Sequence, residues 1–157
     1  MCKEMNHYFK LASDATIKGM ERGEGGPFGA TIVKDGEIIV SVGNTAMRDT
    51  DPSAHAEMVA VREACKKLDT MDLTGCEVYA TCEPCPMCVS VMMWANIKKV
   101  YFSGTRDDAA EHGFSDMHLR NYLDGSQPEL FDMEHIGSRD DCEILWTKFL
   151  EIYPEGF

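Results

Sequence analysis

The sequence predicts an α/β fold, a three-layer α/β/α sandwich around a mixed sheet of roughly five strands. Three observations carry this. Segments with helical apolar spacing alternate with short runs rich in β-branched residues, and Gly, Pro and Asp turn signals separate them. The chain has 157 residues and 44% hydrophobic content, enough for one compact core without staples. It shows no internal repeat, low-complexity tract or interdomain linker, so residues 1–157 are expected to form a single domain.

Tyr8, Leu11, Ala12, Ala15 and Met20 approximate one helix face, and the pattern stops near Gly23. Gly25-Gly26-Pro27 breaks the chain before a strand over residues 28–33. An Asp35-Gly36 pair then turns it into a returning strand over 38–42, a hairpin signal. After a loop over 43–50, Asp51 is read as the cap of a helix with Pro52 at its first position, running to about Leu68. That places His55 in the opening turns. Residues 76–81 read as a buried strand, and Pro84 and Pro86 force a sharp exit before a helix through Val89, Met92, Met93 and Ala95. A strand over 99–103, a short helix over 107–112 and a final helix over 143–152 complete the series.

Composition narrows the classes of function. The seven cysteines are odd in number, three crowd into residues 82–88, and no signal-peptide run opens the chain. Thiolates bound to metal in a reducing cytoplasm are the expectation. The longest apolar stretch, near Val89 to Ile97, is about half of the ~20 residues that cross a bilayer, so no membrane span is expected. The net charge of −12 is uneven: residues 107–157 hold thirteen Asp/Glu against three Lys/Arg. A surface that grips polynucleotide phosphates needs the opposite sign, which favours a small neutral substrate over nucleic acid.

The chemistry concentrates in His55-Ala56-Glu57 and Pro84-Cys85-Pro86-Met87-Cys88. Cys85 and Cys88, three apart on one helical turn, can face the same ion, and a helix N-terminus favours the thiolate. His55 supplies a third ligand from another helix start. Three protein ligands leave zinc (Zn2+) a fourth position for water, the arrangement of a catalytic site. Glu57, two residues from His55, faces another side and is free to carry protons. Two other readings stand beside this one. Cys82, also three residues from Cys85, could close a structural site of three cysteines and a histidine, although Pro84 interrupts the helical spacing. Otherwise the cysteines and the histidine are ordinary core residues. His7, His112, His118 and His135 form no pair at ligand spacing, and Met87, Met92, Met93 and Trp94 read as core or subunit-interface residues.

The pattern H-x-E…P-C-x-x-C resembles that of the zinc nucleobase deaminases. Gly25-Gly26-Pro27-Phe28-Gly29-Ala30, Asp51-Pro52-Ser53-Ala54-His55-Ala56-Glu57 and Thr81-Cys82-Glu83-Pro84-Cys85-Pro86-Met87-Cys88 extend the resemblance to the cytidine-deaminase-like superfamily. Asp108-Ala109-Ala110-Glu111-His112-Gly113-Phe114-Ser115-Asp116 and the cysteine at position 82 are most similar to its bacterial guanine deaminase branch. The resemblance spans about residues 5–116. It implies zinc on His55, Cys85 and Cys88, Glu57 as the proton shuttle, Phe28 against the base, and Asn44 and Asp116 on its polar edge. It also implies a homodimer in which the segment 117–157 is swapped to close the partner's pocket. That segment matches weakly, and the chain ends in Phe157 where the branch tends to carry tyrosine, so any contact made by that hydroxyl would be lost.

The expected reaction is hydrolysis of guanine to xanthine and ammonia. The alternatives are deamination of guanosine, cytosine or an aminotriazine, and tRNA adenosine deamination, which the acidic charge disfavours. A non-catalytic zinc-stabilised binding module is the reading from a different class.

Overall fold

The computed structural model describes the backbone of residues 2–155 and the side chains of residues 5–155. The described residues form two compact units, divided between Arg120 and Asn121. In the first, α1 (Cys2–Glu21) leads into β1 (Gly29–Lys34) and β2 (Glu37–Gly43), then α2 (Ala46–Asp49), α3 (Ala56–Leu68), β3 (Cys76–Cys82), α4 (Pro86–Trp94), β4 (Lys99–Gly104) and α5 (Arg106–Glu111). Helix α6 (Met117–Leu123) follows, and the second unit holds a short 3₁₀ turn (Pro128–Leu130) and α7 (Asp140–Ile152).

The sheet order is β2-β1-β3-β4. β1 pairs antiparallel with both β2 and β3, while β3 and β4 are parallel and joined by α4. The hairpin forms where the Asp-Gly pair predicts it, because Asp35 (φ 51°) and Gly36 (φ 81°) both take the left-handed conformation of a tight turn matched to strand twist. A register shift between Ile32 and Val33 marks a bulge in β1.

Alternation along the strands sorts side chains between two helical layers. Ala30, Ile32 and Val78 join Ala56, Ala60, Val61 and Ala64 of α3 and Cys88 and Met92 of α4 in one core. Ile32, Val78 and Leu73 are fully buried, each worth about 1.5–3 kcal/mol relative to exposure. On the opposite face Tyr79 packs against Tyr8 and Phe9 of α1 and stacks on Tyr101. Gly29 permits that close approach: a Cβ there would collide with Thr16 and the Ala12 carbonyl of α1.

The α/β sandwich with a mixed sheet is as expected, but among the described residues the sheet has four strands, not five. The four segments that the sequence marks as strands are the four that form, and after β4 a reciprocal capping box of Thr105 and Asp108 leads into α5. The boundaries near the site also differ. Asp51 does not cap a helix: its carboxylate accepts bonds from the Ser53 amide and hydroxyl, and α3 starts at Ala56 with His55 as its cap residue. The outer helices begin earlier than their periodicity suggests, α5 at Arg106 and α7 at Asp140.

Candidate active site

Two helix starts build the site. His55 precedes α3 with φ −63° and ψ 154°, and Cys85 precedes α4 with φ −69° and ψ 166°. Neither side chain bonds back to its own helix, so each projects outward from the N-terminus. Pro86 occupies the first position of α4, where its missing N–H costs nothing. Cys88, two residues further, turns its sulfur to the same point and is fully buried.

His55 Nδ1 lies 3.6 Å from Cys85 Sγ and 3.6 Å from Cys88 Sγ, and the sulfurs are 3.6 Å apart. These three edges fit one face of a tetrahedron around zinc, for which Zn–S of ~2.3 Å and Zn–N of ~2.0 Å require edges of ~3.5–3.8 Å. No other histidine, cysteine, aspartate or glutamate completes the set among the described residues. Cys82 is outside it, its thiol directed at the Thr105 carbonyl 3.4 Å away. The closed structural site weighed from the sequence is therefore not formed, and the fourth position stays open.

Charge supports the same assignment. Hydrogen bonding to the Cys88 thiol, with further help from His55, pushes the Cys85 thiol down to about 4. Its partner Cys88 is pushed up by that shared hydrogen bond and by burial. A divalent cation binds thiolates, so its uptake displaces thiol protons from this pair. The bond to Cys85 raises the His55 imidazole. Glu57, in the first turn of α3, is 7% exposed, and its Oε2 sits 3.5 Å from Cys88 Sγ. Burial pushes its carboxyl upward, as suits a group that must take and release a proton.

The remaining site candidates fall into two groups. Phe28 and Asn44 are tied together, since the Asn44 amide donates to the Phe28 carbonyl at 2.9 Å. Asn44, 8% exposed, commits Oδ1 to the amides of Gly26 (3.3 Å) and Ala46 (3.0 Å), which leaves Nδ2 as a donor. Gly25 is required here because a Cβ would run into Asn44. Asp116, just before α6, stands between two guanidinium groups: Arg120 Nε is 2.9 Å from Oδ1 and Arg106 Nε is 3.6 Å from Oδ2. Phe157 lies outside the described residues.

Two residues near these candidates escaped the sequence reading. Phe114 packs edge-on against Phe28 with ring centres 5.3 Å apart, and its place two residues before Asp116 was the available signal. Arg106 bonds the Pro84 carbonyl, next to Cys85, through Nε at 2.9 Å and also through Nη2. Nothing in the local sequence distinguishes it from a surface arginine.

Residues 3–104 match the model of the cytidine and deoxycytidylate deaminase zinc-binding region. Guanine deaminase of Bacillus subtilis (strain 168) is 45% identical over 122 residues, covering 76% of this chain and 78% of that protein. The X-ray structure of guanine deaminase from Bacillus subtilis superposes with a TM-score of 0.84 at 37% identity, covering 92% of this chain and 94% of the other. The tRNA-specific adenosine deaminase of Aquifex aeolicus is 46% identical over 97 residues, 62% of this chain and 64% of its own length. The match spans both ligand motifs, and the geometry leaves one zinc position open beside a buried carboxylate. The chain belongs to the cytidine and deoxycytidylate deaminase family and is a zinc-dependent aminohydrolase.

Proposed function

We propose that the protein hydrolyses guanine to xanthine and ammonia. The observation that carries the proposal is the open three-ligand face of His55, Cys85 and Cys88 with Glu57 beside it, in a chain similar to a guanine deaminase over nearly its whole length. His55, Cys85 and Cys88 would hold zinc, which would supply Lewis acidity toward the attacking water. Glu57 accepts the first proton of the attacking water and hands it to a ring nitrogen beside the carbon under attack; it then takes the second proton from the hydroxyl now on that carbon and passes it to the amine, which leaves as ammonia while the carbonyl forms. Its burial excludes bulk water from both transfers. Phe28 and Phe114 present an aromatic wall to the base, Asn44 Nδ2 donates to an acceptor on its edge, and the Asp116 carboxylate accepts from its N–H groups.

The same reading takes residues 1–157 as one deaminase domain that works as a homodimer in the cytoplasm, with the segment 117–157, including Phe157, exchanged between protomers. Apolar side chains left uncovered support the assembly. On α4 these are Val89, Met93 and Trp94, the last 88% exposed, and on α7 they are Ile144, Leu145, Trp146 and Leu150. Among the described residues no helix is long and apolar enough to cross a membrane.

The test supplies zinc-loaded protein with guanine and guanosine separately and follows xanthine and xanthosine by chromatography. Turnover of guanine alone is expected; turnover of guanosine would mean that the pocket accepts ribose, and silence on both would overturn the substrate. One observation favours a second reading, adenosine deamination in tRNA: the similarity to the Aquifex aeolicus enzyme. Salt-sensitive binding of tRNA would support it.

A further inference from the structure

Arg106 and Asp116 are linked to the metal loop by contacts that neither fold nor chemistry requires of a surface arginine. The Arg106 backbone amide donates to Glu83 Oε2 at 3.2 Å, and its guanidinium closes on the Pro84 carbonyl with two of its nitrogens, Nε at 2.9 Å. Pro84 is buried, and its carbonyl belongs to the peptide that leads directly into the ligand Cys85. The same Nε stands 3.6 Å from Glu83 Oε1 and 3.6 Å from Asp116 Oδ2. Because the Nε–H points at the Pro84 oxygen, its approach to Asp116 is a contact of charges and not a hydrogen bond. Arg120 approaches from the other side at 2.9 Å and is also out of hydrogen-bond alignment. Asp116 therefore has both oxygens buried and flanked by positive charge, yet neither receives a hydrogen bond among the described residues. A buried acceptor pair with its capacity unspent is one that a ligand's N–H groups can fill.

We propose that Arg106 is a positioning residue for the deaminase reaction: by clamping the Pro84 carbonyl and flanking Asp116, it fixes the spacing between the metal-ligand loop and the carboxylate that receives the substrate's N–H donors. The inference rests on the guanine reading for its substrate, but the clamp itself would serve any amino-bearing ring with N–H donors on one edge. Lysine cannot substitute, since a single ammonium lacks the planar fork that reaches one carbonyl from two nitrogens while keeping a third contact in register.

The test is a double-mutant cycle on the zinc-loaded full-length chain, with Arg106→Lys, Asp116→Asn and both together, read as kcat/KM for guanine. Equilibrium binding of guanine, measured in a Glu57→Gln background that does not turn over, gives a second readout. Each single variant is expected to keep its zinc and its melting temperature and to lose about tenfold or more in guanine affinity. The double variant is expected to bind no more weakly than Asp116→Asn alone, because Arg106 acts through Asp116. Additive losses would overturn the proposal, and so would loss of zinc or of melting temperature in Arg106→Lys, which would make the arginine merely structural. If wild-type protein neither binds nor converts guanine, the guanine reading fails by itself. The cycle is then run with guanosine and cytosine: coupling on either sustains the clamp, while additivity there, or no binding of any of the three, overturns it.

Discussion

On the proposed mechanism the chemistry turns on Glu57, because among the described residues it is the buried carboxylate beside the open face of the metal site. Glu57→Gln preserves size and zinc binding but cannot carry a proton, and turnover is expected to fall by about 10²–10⁴-fold or more with zinc content unchanged. Metal analysis alongside xanthine formation separates the two effects, and a fully active variant would sink the role. Zinc uptake by metal-free protein is expected to release the proton held on Cys88, so zinc affinity falls as pH is lowered. Titration calorimetry in buffers of different ionisation enthalpy checks this. The three ligands were legible in the sequence because a metal needs particular atoms at short spacing. Phe114 and Arg106 were not, since their partners Phe28 and Pro84 are distant in sequence and only the folded chain brings them near.

Local chemistry decides where the elements begin, and the sequence pattern reveals it unevenly. The Asp35-Gly36 turn was plain because two left-handed residues are needed and the pair tolerates them. The start of α3 was misplaced by four residues' worth of ambiguity, roughly the error expected when Asp51 can either cap a helix or form its own turn. The expected fifth strand has no segment of strand periodicity behind it, and after β4 the Thr105–Asp108 box leads directly into the helix that the sequence marks over 107–112. Thr105→Ala is expected to lower stability by about 1 kcal/mol, read as a shift in the urea midpoint. Leu73→Ala, which empties a fully buried position leading into β3, should cost about 2–5 kcal/mol by the same measurement. Asp49 is held down to about 2 by hydrogen bonds from Arg48 and Thr45, so its contribution is present above the usual carboxylate range and is lost as pH falls from about 4 toward about 2. Asp49→Asn should therefore be destabilised relative to wild type at neutral pH, with the difference vanishing at the acid end of that window.

At the level of the whole molecule, charge and exposed apolar surface point to different partners. Of the net −12, residues 107–157 contribute −10, thirteen acidic groups against three basic ones. Such a field repels a phosphate backbone, and tRNA is expected not to bind even at low ionic strength, as a gel-shift titration would register. The fold class was readable because alternation of helix and strand periods survives any error in boundaries. The uncovered apolar side chains of α4 and α7 were not readable as exposed, because periodicity separates apolar from polar faces without saying what covers them.

Both His55 and Cys85 occupy the cap positions of their helices without capping them. Zinc held by these two residues would act as a single fastener for two first turns 30 residues apart in the chain. Stripping it should loosen both at once: amide hydrogen exchange at residues 56–59 and 87–89 should quicken together on chelation, while β3 between them keeps its protection.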